Sequence, residues 1–165
     1  MIVNFHKVNL KKKYPLQISR GTHSKSENLF VEIIKDGIAG WGESAPGKTE
    51  GASNVDEVEN ELLKLIDTGI DSLSIYEIFQ RSKELKIPPC AHAAIDIALW
   101  DWKAKKAGLP LNNLLGLPTP STPTSLTIGI NPPEIIKERV EMLLSNSQIK
   151  ALKIKLGSPD GIEYD

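Results

Sequence analysis

The sequence predicts an α+β domain with a three-stranded antiparallel sheet, followed by the first strand–helix–strand unit of a (β/α) TIM-type barrel. Two observations carry this prediction. Three strand-like segments with a hairpin signal precede the helical part of the chain, and a strand–helix–strand pattern follows a proline-rich stretch. The chain has 165 residues, which suits one domain together with a piece of another.

The antiparallel sheet is predicted near the start of the chain. Residues 1–10 and 29–35 are rich in apolar, strand-favouring side chains, and Asp36-Gly37 predicts a two-residue hairpin into a third strand over 38–43. The segment 19–26 is rich in hydroxyl groups and contains a glycine, so it predicts a mobile loop.

Three helices are predicted next. Apolar residues recur at helical spacing after Ser53 or Asn54, either of which could cap the first helix, and again after Ser72 or Ser74. The third helix, over about residues 91–107, is apolar on most sides and is therefore expected to be buried between other elements.

The domain boundary is predicted near residue 120. Residues 117–123 contain three of the 11 prolines and form the best linker candidate, which gives domains over 1–120 and 121–165. In the second domain, strands over 124–130 and 151–157 flank a helix that begins at Pro132-Pro133. Such a unit is typical of a parallel sheet.

The second of these strands carries two lysines on one face. Lys153 and Lys155 alternate with Leu152, Ile154 and Leu156. One interpretation is a solvated lysine face. The other is that the lysines face the ligand mouth of a barrel, where each lowers the pKa of the other and burial lowers it further, so that a neutral amine becomes available as a base. The residues alone leave both interpretations open.

Composition narrows the function classes. With 20 basic and 21 acidic residues the chain has a net charge of −1, which argues against a nucleic-acid or membrane partner. The run Lys11-Lys12-Lys13 is interpreted as a solvated turn, with a phosphate-binding patch as the minor alternative. The single cysteine, Cys90, excludes an internal disulfide. No apolar run approaches a membrane span and no signal pattern opens the chain, so we expect a cytoplasmic protein.

Four stretches, in order, carry a resemblance to a known family. They are Asp36-Gly37 with Gly40-Trp41-Gly42-Glu43-Ser44-Ala45-Pro46; Ala93-Ala94-Ile95-Asp96-Ile97-Ala98-Leu99-Trp100-Asp101; Gly108-Leu109-Pro110-Leu111 with Leu114-Leu115-Gly116; and Lys153-Ile154-Lys155-Leu156-Gly157. The chain resembles the N-terminal portion of an enolase-superfamily enzyme of the mandelate racemase/muconate lactonizing (muconate-cycloisomerase-like) group. More narrowly, it resembles a dipeptide epimerase of the L-Ala-D/L-Glu type.

The resemblance implies a capping domain, residues 1–120, and a Mg2+-dependent isomerase that abstracts a proton alpha to a carboxylate. It implies that Lys155 is the acid/base and that Lys153 tunes it and neutralises developing charge. It also implies that Arg20 binds a substrate carboxylate and that Thr127 lies near the substrate. The alternatives remain a solvated loop arginine for Arg20 and a small barrel-filling residue for Thr127.

In this family the magnesium ligands are carboxylates on later barrel strands, which would lie beyond Asp165. Asp160, Glu163 and Asp165 are therefore not assigned as metal ligands. The chain is expected to be truncated and inactive alone, with a small carboxylate, a dipeptide in the first instance, as substrate of the intact enzyme. Open alternatives are a cycloisomerase, an o-succinylbenzoate synthase, an acylamino-acid racemase or a non-catalytic module. Homo-oligomerisation is also open.

Overall fold

The structure is a computed structural model that describes residues 1–145 and 149–164. Its strands and α-helices follow the predicted order. They are β1 (Ile2–Ile18), β2 (Gly21–Lys35), β3 (Ile38–Ser44), α1 (Val55–Ile66), α2 (Ile75–Glu84), α3 (Pro89–Ala107), α4 (Leu111–Leu114), β4 (Ser125–Ile128), α5 (Pro133–Leu144) and β5 (Ala151–Ile154). Short 3-10 turns cover Ile70–Ser72 and Ile162–Tyr164.

The chain divides into two compact units. The first comprises residues 1–10 and 26–119, and the second comprises residues 11–25 and 120–165. One sheet has the strand order β1-β2-β3, and β4 pairs with β5 in parallel. The predicted fold class, a small antiparallel sheet with helices followed by the parallel start of a barrel, is confirmed.

The hairpin formed by β1 and β2 is longer than the sequence predicts. Only Ser19 and Arg20 form the turn, and residues 21–26 belong to β2. The prediction of a mobile loop over 19–26 is therefore wrong, and so is the interpretation of Lys11-Lys12-Lys13 as a turn, because these lysines lie within β1. Hydroxyl and cationic side chains do not prevent strand formation when the strand faces are exposed to solvent, because the backbone still pairs with the neighbouring strand.

The first unit is built on a close approach between β3 and α3. A Cβ atom added to Gly42 would lie 1.9 Å from the Ala94 carbonyl oxygen, and one added to Gly40 would lie 2.2 Å from the Ala98 carbonyl oxygen. The helix side chain of Asp101 accepts a hydrogen bond from the Trp41 backbone N–H at 2.8 Å. The first two of the four sequence stretches that carry the family resemblance, in β3 and α3, therefore pack directly against each other.

Local signals in the first unit act as predicted. Asp36 and Gly37 have φ values of 54° and 74°, the left-handed pair that a two-residue hairpin requires. The N-terminus of α1 is capped by Asn54, and Ser74 with Glu77 forms a capping box at α2. Gly108, at φ 66°, ends α3.

A single cluster of buried apolar side chains holds the first unit together. It is drawn from β2, α1, α2 and α3 and the segments between them. Its members are Leu29, Val31, Ile33, Ala52, Val55, Val58, Leu62, Leu65, Ile70, Ile78, Ile87, Ala91, Ala94, Ile95, Ala98 and Leu99. The third helix is buried on the side that faces this cluster, whereas Ile97 on its other side is 49% exposed. The prediction that this helix is buried between other elements therefore holds for one side only.

The second unit has a much smaller core. Among its described residues, the buried apolar side chains are Ile128 and Ile130, whereas Leu126, Ile154 and Leu156 are exposed. The predicted aliphatic faces of β4 and β5 are therefore only partly covered by the part of the second unit that the structure describes. Among the described residues, no helix combines the length and apolar character needed to cross a membrane.

Candidate active site

The parallel pairing of β4 with β5 brings two of the predicted site residues side by side. Thr127 is the register partner of Lys153, and both side chains are exposed. The Lys155 N–H donates to the Ile128 carbonyl oxygen at 3.0 Å, so the ladder continues one residue beyond β5. Lys153 and Lys155 are two residues apart and therefore lie on one face of the extended segment.

Residues 11–25 of the β1–β2 hairpin, here called the hairpin tip, contact the carboxyl end of β4. The Ile130 N–H donates to the Gln17 carbonyl oxygen at 2.9 Å. A Cβ atom on Gly129 would lie 2.8 Å from that same oxygen and 2.9 Å from the Gln17 nitrogen. The absence of a side chain at Gly129 is what allows the tip backbone to lie this close to the strand end.

The turn that carries Arg20 lies beside the segment that follows Lys155. A Cβ atom on Gly157, whose φ is 99°, would lie 3.1 Å from the Ser19 Cβ. Arg20 is the next residue along the turn and is exposed, whereas Lys155 is half-buried. Thr127, Lys153 and Lys155 therefore lie at the carboxyl ends of the two parallel strands, and the turn that contains Arg20 lies beside the segment that follows Lys155. In barrel enzymes this is the end at which ligands bind.

A cavity of about 310 Å3 opens at this end of the second unit. Its lining combines hairpin, strand-end and loop residues, which are Gln17, Ile130, Asn131, Pro132, Pro133, Ser158 and Asp160. Asn131 donates through Nδ2 to the Gly129 carbonyl oxygen at 2.9 Å, which orders the loop that leaves β4. Sequence reasoning missed Gln17, Asn131 and Ser158, because their only sequence signal is a position near the end of a strand.

A second, more apolar cavity of about 190 Å3 is lined by residues of the hairpin tip, β4 and α5. Tyr14 donates from its hydroxyl to the Met142 sulfur at 3.3 Å, and the Arg139 guanidinium lies 4.7 Å from the centre of the Tyr14 ring. These contacts attach the tip to the helix as well as to β4.

The described residues do not form a magnesium site. Among them, no group of three or more histidine, cysteine, aspartate or glutamate side chains is arranged to hold a metal ion. Asp160 and Glu163 are exposed in the segment after β5, and Asp165 lies outside the described residues. Mg2+ prefers an octahedral set of oxygen ligands, which the described residues do not provide.

The chain is similar in sequence to curated dipeptide epimerases. A hydrophobic dipeptide epimerase from Flavobacteria bacterium (strain MS024-2A) is 59% identical over 165 residues, which is 100% of this chain and 47% of that protein. The chain thus spans about half the length of this curated relative.

Two solved structures of dipeptide epimerases are also similar to this chain. The dipeptide epimerase from Enterococcus faecalis V583, crystallised with Mg and the dipeptide L-Leu-L-Tyr, matches with a TM-score of 0.83 and 29% identity over 94% of this chain and 45% of that one. A substrate-liganded L-Ala-D/L-Glu epimerase from Bacillus subtilis matches with a TM-score of 0.83 and 28% identity over 95% of this chain and 45% of that one.

The family model for the N-terminal domain of mandelate racemase and muconate lactonizing enzyme matches residues 2–116. This range contains the β3–α3 contact and the glycines that permit it, and the resemblance predicted from the four stretches is confirmed. The chain belongs to the mandelate racemase/muconate lactonizing enzyme family of the enolase superfamily.

Proposed function

We propose that this chain is the N-terminal part of a dipeptide epimerase, a 1,1-proton transferase that acts alpha to a carboxylate. Residues 1–120 would form the capping domain and residues 121–165 the start of the barrel. The observation that carries the proposal is that Thr127, Lys153 and Lys155 lie at the carboxyl ends of β4 and β5, with the turn that contains Arg20 beside the following segment. The names of the relatives support the reaction class.

In the proposed step, the Lys155 amine removes the proton from the substrate Cα. The C–H bond breaks, the proton moves to Nζ, and the electron pair passes into the carboxylate to form an enediolate. Lys153 would offset the negative charge that develops on the carboxylate oxygens. Epimerisation is completed when a proton returns to Cα on the opposite face, from an acid that is not assigned in this chain.

Two further residues would orient the substrate. Arg20 presents a planar fork of N–H donors that suits a side-chain carboxylate, and the Thr127 hydroxyl could hydrogen-bond to the substrate backbone. A carboxyl-bearing substrate would use Arg20 most fully. The relative from Flavobacteria bacterium (strain MS024-2A), which is named a hydrophobic dipeptide epimerase, argues for including apolar dipeptides among the substrates tested.

We propose Mg2+ as the cofactor of the intact enzyme, because the E. faecalis epimerase was crystallised with Mg. When bound, Mg2+ stabilises the negative charge of an enediolate. Since the described residues form no cage for it, the ligands would come from outside them, and the chain alone is expected to be inactive. A non-catalytic binding module is the alternative that activity of the intact protein would exclude.

The test is an epimerisation assay on the protein that contains residues 1–165, with Mg2+ and a panel of acidic, apolar and basic dipeptides resolved by chiral chromatography. Lys155→Gln should lower the rate by about 100-fold or more, because the proton acceptor is lost. Lys150→Gln makes the same charge change at an exposed position before β5 and should leave the rate unchanged. Equal rates in Lys155→Gln and the unaltered protein would overturn the assignment.

A further inference from the structure

A cavity of about 180 Å3 lies between α2 and α3 in the first unit and contains no residue of the proposed active site. It is lined by residues from both helices and from the turn that joins them, namely Phe79, Ser82, Lys83, Ile87, Pro89 and His92. Pockets that hold drug-sized ligands have volumes of about 300 Å3 or more, so this cavity suits a smaller ligand with about one ring.

The backbone around this cavity is held by hydrogen bonds on both sides. Lys86, at a left-handed φ of 56°, ends α2, and the following Ile87 N–H turns back to donate to the Ser82 carbonyl oxygen at 2.9 Å. At the start of α3, the His92 N–H donates to the Pro88 carbonyl oxygen at 2.9 Å. The cavity walls are therefore positioned before a ligand arrives, which lowers the entropy cost of binding.

The imidazole of His92 is fixed in orientation at the cavity wall. Its Nδ1 lies 3.0 Å from the hydroxyl oxygen of Ser82, which is 2% exposed, and its ring centre lies 5.3 Å from that of Phe79. Its Nε2 forms no hydrogen bond with another described residue. When the Ser82 hydroxyl donates to Nδ1, the ring hydrogen lies on Nε2, which is then a donor for a ligand.

The described residues that line the cavity include a lysine and no carboxylate. The Lys83 ammonium group lies 5.0 Å from the centre of the Phe79 ring, so the charge is held beside an aromatic wall. Ile87 and Pro89 complete the apolar part of the lining, and Asp96, one turn further along α3, is not part of it. The lining therefore complements an anion with a small apolar body.

We propose that this cavity binds a small aromatic monocarboxylate, with the ring against Phe79 and Ile87 and the carboxylate facing the Lys83 ammonium and the His92 Nε2. Hydrogen bonds from these donors to a carboxylate are charge-assisted and therefore strong. An inorganic anion would leave the apolar walls uncovered, and a neutral arene would leave the ammonium without a counter-charge. This binding involves the first unit alone and does not depend on the proposed epimerase function.

The test is an NMR titration of the 165-residue chain with benzoate, in which the amide signals and the His92 ring signals are followed. Benzoate should shift the signals of residues 79–92 saturably, with a Kd of about 1 mM, as expected for a ligand of this size. Benzamide, which has the same shape without the charge, should bind about fivefold more weakly, and acetate, which has the charge without the ring, should not saturate. Benzoate shifts that do not saturate at residues 79–92, or equal affinities for benzoate and benzamide, would overturn the proposal.

A matched pair of lysine variants locates the anion. Lys83→Gln should weaken benzoate binding about threefold to fivefold and leave benzamide binding unchanged, because only the charge contact is lost. Lys103→Gln is the control, since Lys103 is also exposed and also lies 5.0 Å from an aromatic ring, that of Trp100, but does not line the cavity. Both substitutions are at exposed helix positions, so neither threatens the fold. Equal benzoate affinities in the two variants would contradict the assigned carboxylate position and overturn the proposal.

Discussion

The two units of this chain use their apolar residues differently. In the first unit, four secondary-structure elements contribute to one buried cluster, and glycines let β3 lie directly on α3. In the second, Ile128 and Ile130 are buried, while Ile154 and Leu156 are 44% and 59% exposed. Packing therefore explains the stability of the first unit. The second unit buries fewer apolar side chains among its described residues. Its strand ends instead carry polar residues of the proposed site, namely two lysines and a threonine, beside the turn that contains Arg20.

The largest expected contrast comes from removing one isoleucine side chain from each unit. Ile95→Ala in α3 deletes a fully buried side chain and should cost about 2–5 kcal/mol, whereas Ile154→Ala removes a side chain that is already 44% exposed and should cost less than about 1 kcal/mol. Native-state hydrogen exchange suits this comparison, because it reports the opening of each unit separately, whereas Trp41, Trp100 and Trp102 all lie in the first unit and would not report on the second. Similar losses of unfolding free energy in the two variants would contradict the difference in packing between the two units.

A smaller effect is expected where backbone meets backbone in the first unit. Gly42→Ala would place a Cβ atom 1.9 Å from the Ala94 carbonyl oxygen, so β3 and α3 must move apart, at a cost of about 1–3 kcal/mol. Gly47→Ala is the control, because its Cβ would meet only the flexible end of the Glu50 side chain. Unfolding midpoints of the two variants should differ clearly. Coincident midpoints would mean that the β3–α3 contact is not a tight one.

The corresponding glycine of the second unit should act locally. Gly129→Ala would push the Gln17 backbone away from β4 and weaken the hydrogen bond from the Ile130 N–H to the Gln17 carbonyl oxygen. Hydrogen exchange at the Ile130 amide should become faster, while the Lys155 amide, which donates to the Ile128 carbonyl oxygen, should keep its protection. Unchanged exchange at Ile130 would show that the tip is not fastened through Gly129.

The smallest expected effect is a pH dependence in the first unit. Burial lowers the pKa of His92, a shift that Asp96 partly opposes, and the ring lies 3.0 Å through Nδ1 from the Ser82 hydroxyl. Because the unfolded chain binds this proton more readily, the free energy of unfolding should fall as pH drops below about 6.5. His92→Asn keeps a polar group near Ser82 and should reduce the slope of stability against pH between 7 and 5. An identical slope of stability against pH in His92→Asn would show that His92 does not cause the pH dependence.

How much of the structure the sequence predicts depends on the range of the interaction. The hairpin at Asp36-Gly37, the start of α1 at Ser53 or Asn54 and the stop at Gly108 are local features, and each is predicted from one or two residues. The structure decides between the two candidate caps in favour of Asn54. The length of the β1–β2 hairpin is not, because residues 21–26 are held in a strand by a partner rather than by their own apolar pattern.

The features of the candidate site also divide into local ones, which the sequence predicts, and contacts between distant segments, which it does not. The sequence places Lys153 and Lys155 on one face by alternation, which is a local property. The register that sets Thr127 beside Lys153, and the approach of Ser19 to Gly157 that brings the Arg20 turn near, are contacts between distant segments. No periodicity in the sequence encodes them, and Gly129 and Gly157 acquire their meaning only when the neighbouring backbone is seen.

The most direct test of the central claim, that Lys155 is a base acting on one face of the substrate, is deuterium incorporation at the substrate Cα. The protein that contains residues 1–165 is incubated in deuterated water with Mg2+ and with each epimer of a dipeptide separately. The account predicts that Lys155→Ala lowers incorporation from one epimer by about 100-fold or more and affects the other epimer less, because a base reaches only one face. Incorporation from both epimers at the rates of the unaltered protein would contradict it.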